Sequence, residues 1–450
     1  MFQSQKTIII SSFHPHISRN VFVSGVLDAL LHSPDVRIVI VAPVYKVEYF
    51  QKTFGNERVL IEGVPLYQSS RRLRGRIFKR LAIYLFNTNS ARLRKRYEYY
   101  LTKNRLRFVV EYVAGYVGNS SLVRRFNRFL DYHFSPKGFF KDIIEKYQPG
   151  VVVSTDVQNE NDVSLLQDAR RAGIRTVGMI RSWDNLSLRI LRVFPDTLIV
   201  GSDTLKEEAV ALNYFPRERI SVTGNAHYDH YRARARSSRA DFCKKFGLSE
   251  GKPFILYAPI SDALVRVNDL DQYILKFLAG LKIPVVVRFP PEKKVELGDF
   301  KKPDWFVYDQ PGEVFGKGEV GDREIRPEDD NNLLNELTHA AVVVTGPTSI
   351  CLDSAFFDTP VIAVDIYPTE RPFFEKIWRY KDYHIQKMLA TKGVRYATSL
   401  EGLKKGIEAY LKDKTLNAEG RKTVRSMWFS HIDGNAAKRV AETILTEAVS

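Results

Sequence analysis

Two cysteines in 450 residues, Cys243 and Cys351, stand far apart and outside any CxxC or Cys/His spacing, which argues against a disulfide framework or a cysteine-built metal centre. No apolar run approaches the ~18–20 residues that a membrane-spanning helix needs. The opening stretch MFQSQKTIII lacks the charged-then-apolar order of a secretory leader. Low-complexity tracts are missing too, while 44% of the residues are hydrophobic and 12% aromatic, so the chain has the composition of a globular protein. These absences predict a cytoplasmic, reduced protein long enough for two or three domains, with no metal and no cofactor.

Acid is the other scarcity. There are 52 Asp and Glu against 68 Lys and Arg, a formal charge of +16, and the excess is concentrated in one place. From Arg71 to Arg107 a run of cations, Arg72, Arg74, Arg76, Lys79 and Arg80 among them, is opposed only by Glu98. Leu73, Ile77, Phe78, Leu81, Tyr84, Leu85 and Phe86 are interleaved with it, which predicts an amphipathic helix with a basic face. Such a face rests on an anionic leaflet at ~1 kcal/mol per cation, holds an anionic acceptor, or is merely solvated. In the first case the protein is peripheral at the inner face of the cytoplasmic membrane. No nucleic-acid module or stacking pattern accompanies the charge, so nucleic acid is not an expected partner.

The apolar pattern supplies the fold class. A strand at KTIIISS, a helix from about residue 17 to 31 and a strand at VRIVIVA form a βαβ unit, hence a parallel sheet. After a helical, aromatic and basic insertion at about 71–148 the alternation resumes with GVVVST, IRTVGMI, TLIVG and ISVTG. It restarts with PFILYAP, PVVVRF, AAVVVTG and TPVIAVD. Two such series predict an α/β protein of two Rossmann-like parallel-sheet domains facing across a cleft, at 1–228 and 229–450. The last helix, about 435–448, is a candidate to pack back on the first domain.

Open parallel sheets bind ligands beyond the carboxyl ends of their strands, so the residues that follow each strand carry the chemistry. In SSFHPHISRN, Ser12 offers a hydroxyl, His14 or His16 a base for an acceptor hydroxyl, and Arg19 a cation for phosphate or carboxylate. In STDVQNEND, Asp156 and Glu160 are alternative bases, or else Asp156 caps the next helix. In IRSWDNLSLR, Trp183 can stack on a sugar while Asp184 and Asn185 bond its hydroxyls, unless the three form a packed corner. In VVVTGPTSICLD, Gly346 permits close approach, and Thr348, Ser349 and the free N–H groups of a helix start can hold a diphosphate without a metal. Arg288 after PVVVRF is placed for phosphate and Glu370 in YPTERP for a ribose diol.

The stretch SWDNLS followed by FPDTLIVGSDTLKEEAVALNYFPRERISVTGNAHYD resembles bacterial surface-carbohydrate proteins of the GT-B glycosyltransferase fold, and more distantly non-hydrolysing UDP-N-acetylglucosamine 2-epimerases. The segment ELTHAAVVVTGPTSICLDSAFFDTPVIAV is similar to the donor site of those transferases and of CDP-glycerol glycerophosphotransferases. The resemblance implies a nucleotide-linked donor on the C-terminal domain, with Gly346, Thr348 and Ser349 at its phosphates and Glu370 near its ribose. It implies a glycan or lipid-linked acceptor on the N-terminal side. Two departures matter. The epimerases' Gly-Thr-Arg-Pro-Glu loop is absent, and Arg288-Phe289-Pro290 stands where glycerophosphotransferases usually have a basic residue followed by His-Pro. The expected activity is that of a metal-independent, nucleotide-sugar-dependent glycosyltransferase acting on a cell-envelope polysaccharide, lipopolysaccharide or lipid-linked glycan. CDP-linked polyol-phosphate transfer and silent glycan or nucleotide binding are the alternatives.

Overall fold

The computed structural model describes residues 6–67, 72–262, 264–291, 295–315 and 323–449. The chain divides into two compact units, one of Met1–Arg232 with Trp428–Ser450 and one of Ala233–Met427. The second domain of the sequence reading therefore ends at Met427 rather than at residue 450.

The first unit holds seven parallel strands, β1 (Lys6–Ser11), β2 (Val36–Pro43), β3 (Val59–Val64), β4 (Val151–Ser154), β5 (Arg175–Met179), β6 (Thr197–Val200) and β7 (Ile220–Val222). Their order is β3-β2-β1-β4-β5-β6-β7. Ile8, Ile9 and Ile10 of β1 are all buried, because both faces of the sheet are covered, and a strand buried on both faces reads as a continuous apolar run. Ile9 pairs in register with Val39 of β2 and Val152 of β4, so β1 and β4 flank the reversal of strand order. Ligand sites of such sheets lie at that reversal.

The expected helix over 17–31 is broken. Ser18–Phe22 forms a π-helical turn, and a short helix, Val26–Leu31, starts after Gly25, whose φ of 90° belongs to the left-handed region that glycine tolerates. The basic stretch is likewise several helices rather than one: Leu73–Tyr84, Asn89–Thr102, Arg105–Val117 and Ser121–Phe134. Arg71 lies outside the described residues. Helix Ala436–Val449 packs on Val26–Leu31 and buries Val440, Ala441 and Ile444. Its Glu447 takes an ion pair from Arg175 of β5 at 2.6 Å.

The second unit contains β8 (Ile255–Ala258), β9 (Val285–Arg288), β10 (Phe306–Asp309), β11 (Glu313–Val314), β12 (Arg323–Glu324), β13 (Val342–Thr345), β14 (Val361–Val364) and β15 (Arg395–Ala397). Six of these form a parallel sheet in the order β10-β9-β8-β13-β14-β15, while β11 and β12 make a separate antiparallel pair. Here the order reverses between β8 and β13. Among the described residues, no helix is long and apolar enough to cross a membrane.

Candidate functional site

At the reversal in the first unit, backbone and side chain lock two loops together. Thr155 donates from Oγ1 to the Ser11 carbonyl at 2.9 Å and from its backbone N–H to Ser11 Oγ at 3.0 Å. Ser11 Oγ in turn donates to Asp162, which is buried. Burial first, and then the charge of Asp156, pushes the Asp162 carboxyl up to about 7. The loops after β1 and β4 are thus held side by side.

Asp156 is the hub of this end of the sheet. Its carboxylate accepts from Arg181 Nε at 2.8 Å, from the Gln158 backbone N–H at 3.1 Å and from Asn185 Nδ2 at 3.4 Å. The loops around residues 156 and 185, separate in sequence, are therefore one cluster. Arg181, not among the expected site residues, joins them. Its signal was available: it is a cation just after a buried strand, in the same position that drew attention to Arg288. A shallow pocket opens beside it, lined by Asn20, Thr155, Arg181, Thr223 and Asn225 among others.

His14 and His16 stand with ring centroids 5.0 Å apart. Burial, then the positive charge of Arg181, brings His14 down to about 3, with Asp156 pulling the other way. His16 lies well below its ordinary range through burial and then Arg19. Both rings are neutral at pH 7. The His16 backbone N–H donates to His14 Nδ1 at 3.2 Å, so a neutral His14 in this arrangement carries its proton on Nε2 and offers a donor there. Ser12 is buried, and its Oγ has no hydrogen-bond partner among the described residues.

Glu160 is drawn away from this cluster. It accepts from Arg192 Nη1 at 2.8 Å, and the same guanidinium grips buried Asp131 through Nε at 2.7 Å and Nη2 at 2.9 Å. Arg19 Nε bonds its neighbour Asn20 at 3.0 Å. Trp183 meets Trp428 edge to face, with centroids 5.5 Å apart, and the Asp184 carbonyl takes Ser187 Oγ at 3.0 Å, so this stretch includes a packed corner.

In the second unit, β13 ends at Thr345 and the chain turns through Gly346. A Cβ on Gly346 would sit 2.6 Å from Ile260 Cγ1, so the glycine lets the loop lie against the segment after β8. Thr348 N–H closes the turn on the Gly346 carbonyl at 2.9 Å, and the hydroxyls of Thr345 and Thr348 share a hydrogen bond at 3.3 Å. Ser349 is exposed at the start of Ile350–Phe356, and its side chain makes no capping bond. Asp271 shapes the neighbouring loop, accepting from Tyr257 Oη at 2.5 Å, Ile260 N–H at 2.8 Å and Asn268 Nδ2 at 2.6 Å.

Arg288, expected to meet phosphate, is buried and occupied. It donates to Asp309, to Glu336 at 3.1 Å and to the Asp329 carbonyl at 2.8 Å. Burial pushes the Glu336 carboxyl up to about 8, although Arg288 opposes the shift. Glu370, expected at a ribose, is exposed and pairs with Lys376. A different carboxylate is fixed at a strand end: Asp365, just after β14, accepts from Tyr367 Oη at 2.6 Å and Tyr396 Oη at 2.5 Å. The sequence signal for Asp365 was its position as the last letter of TPVIAVD; the tyrosines that hold it come from elsewhere in the chain.

Solved structures similar over nearly the full length include a UDP-N-acetylglucosamine 2-epimerase from Methanocaldococcus jannaschii, with a TM-score of 0.53, 13% identity, and coverage of 98% of this chain and 99% of that one. A complex of S. aureus MnaA with UDP gives 0.53 and 13%, covering 98% and 96%. The wall teichoic acid polymerase TagF gives 0.51 and 13%, covering 99% and 90%. At these identities the likeness establishes the fold, which is GT-B, with two parallel-sheet α/β domains. No curated protein sequence matches the chain. Residues 187–446, more than half of the length, match the CDP-Glycerol:Poly(glycerophosphate) glycerophosphotransferase family. The chain is therefore a member of that family, to which the segment around Thr345–Ser349 is similar.

Proposed function

We propose that this protein transfers a sugar from a nucleotide-sugar donor to a cell-envelope polysaccharide, lipopolysaccharide or lipid-linked glycan. The carrying observation is the first unit's cluster, in which a neutral His14 stands within the field of the Asp156–Arg181 pair at the reversal of strand order. A neutral imidazole with Nε2 protonated donates to a substrate oxygen, and Arg181 and Arg19 supply positive charge for an anionic group. In the second unit, Thr348, Ser349 and the turn at Gly346 receive the donor diphosphate, with no metal required. Asp365 rather than Glu370 is the carboxylate fixed at a strand end there. The solved relative with UDP bound supports a nucleotide-linked donor. The basic helices from Arg72 to Arg107 support a peripheral position at the inner face of the cytoplasmic membrane, where lipid-linked acceptors reside.

The test is a pair of variants. His14→Ala is expected to lower kcat about a hundredfold or more, and His14→Gln, which keeps a donor but has no basic nitrogen, to retain most of the rate. Equal loss in both assigns His14 as a base instead, and no loss in either removes it from the mechanism. A second reading, polyol-phosphate transfer from a CDP-linked donor, is favoured by the family match. Arg288-Phe289-Pro290 weighs against it, since no histidine stands there to handle phosphate. Turnover of CDP-glycerol in preference to UDP-, GDP- and CMP-linked sugars would decide for the second reading.

A further inference from the structure

The pocket beside Arg181 carries a donor and acceptor pattern of its own. It opens beyond the carboxyl ends of β4 to β7 and reaches the π-helical turn Ser18–Phe22. Such turns cluster at functional sites, and here the wide turn lets Asn20 and Val21, adjacent in sequence, both line the pocket.

Two amides of the lining are oriented by their other bonds. Asn20 Oδ1 accepts from Arg19 Nε at 3.0 Å, and Asn225 Oδ1 accepts from the His227 backbone N–H at 3.2 Å. Both partners are donors, so the amide oxygens face them, and the Nδ2 amino groups are left to donate to a ligand. Asn225 Nδ2 stands 3.7 Å from the place of a Cβ on Gly201, which lines the same pocket. Two hydroxyls are set the other way. Thr155 donates to the Ser11 carbonyl and Thr223 to the Gly224 carbonyl, each at 2.9 Å. With their protons committed, their oxygens can only accept.

The charge is single and positive. Among the described residues of the lining, Arg181 is the one that is ionised. Its Nε bonds Asp156, yet the field at this end of the sheet remains positive. At neighbouring His14, burial lowers the pKa first, Arg181, Lys46 and Arg19 lower it further, and Asp156 alone of the charges opposes them. One guanidinium and two amino groups match one carboxylate, with its two oxygens and single charge. A diphosphate calls for more positive charge than one arginine brings. The threonine oxygens match hydroxyl hydrogens, and Ile17, Val21 and Ile180 supply apolar wall for the C–H face of a ring.

We infer that this pocket binds a carboxylate-bearing sugar unit of the acceptor, a step that rests on the transferase reading and places the acceptor on the first unit. Binding to the full-length protein is measured by calorimetry, without donor, for D-glucuronate, D-glucose and D-glucose 6-phosphate. Wild type is expected to bind glucuronate about tenfold or more tighter than glucose, the worth of a charge-assisted hydrogen bond. Asn225→Asp keeps the oxygen that receives the His227 N–H and replaces the donor by a charged acceptor. It is expected to lose the preference for glucuronate while still binding glucose. Gly201→Ala adds a methyl at ordinary contact distance, 3.6 Å from Asn225 Cβ, and so narrows the pocket without a clash. It is expected to weaken glucuronate binding about tenfold. Unchanged melting temperatures establish that both variants are folded. The assignment is overturned if wild type binds none of the three, binds glucose as tightly as glucuronate, or binds glucose 6-phosphate more tightly, or if either variant binds glucuronate like wild type. Because no donor is present, a protein that selects glucuronate but transfers no sugar from any donor would refute the transferase reading and leave the pocket's chemistry standing.

Discussion

Asp162 shows what one buried carboxyl does to this unit. Its folded pKa of about 7 lies above the ordinary 3.8. A carboxyl raised in this way contributes stability that is complete below the ordinary value and is lost as pH rises through about 7. Asp162→Asn keeps an acceptor for Ser11 but cannot ionise. The variant is therefore expected to gain on wild type as pH climbs from 4 to 8, by up to about 4 kcal/mol from a shift of about three units. Melting curves at matched pH check this, and a constant difference between the two proteins would mean that Asp162 ionises normally. His14 has the opposite sign: its pKa is lowered to about 3, so its contribution is present above 6.5 and fades as pH falls toward 3. His14, His16 and Asp156 are legible in the sequence from their positions after strands. The contacts of Asp162 and Arg181 are not, because a carboxyl inside a helix and an arginine in a loop acquire meaning only from what the fold brings beside them.

The strands were legible in sequence because continuous apolar runs such as KTIIIS and VVVS need two covered faces. The polarity of Ser121–Phe134, whose buried residues are Arg124, Asn127 and Asp131 while Phe126 and Phe129 are exposed, was not. A hydrophobic stripe at helical spacing gives no direction, and the ordinary assumption turns it inward. What reverses it is the Arg192–Asp131 pair with Glu160, a set of charges separated in sequence and joined by the fold. Asp131 also accepts from Gln167 Nε2 at 3.2 Å. Arg192→Ala would leave Asp131 buried without its cation and is expected to destabilise the first unit by about 3–5 kcal/mol. Urea unfolding followed by the far-UV signal measures it. A change below about 1 kcal/mol, the scale of a surface pair, would show that the bidentate contact is not what anchors Ser121–Phe134. The same pair accounts for Glu160: a carboxylate committed to Arg192 is held in the scaffold and is not free to act as a base.

At the scale of the chain, the alternation of strand and helix announced two sheets but not where the final helix belongs. Helix Ala436–Val449 carries an ordinary amphipathic pattern, and nothing in that pattern names its partner. In the fold, Val440, Ala441 and Ile444 join the core formed by β1, β2 and Val26–Leu31, so the first unit is closed by the last residues of the sequence. A charge at that seam should therefore act at the far end of the chain and not on the nearer neighbours in sequence. Ile444→Asp places a carboxylate at a position 1% exposed, with a cost of several kcal/mol. Hydrogen exchange is expected to show the amides of Ile8–Ile10 and Ile38–Ile40 losing protection, while those of Leu256–Tyr257 and Val343–Val344 keep theirs. Equal loss in both groups would mean that the two units unfold together. Loss confined to the second group would place the final helix in the wrong core.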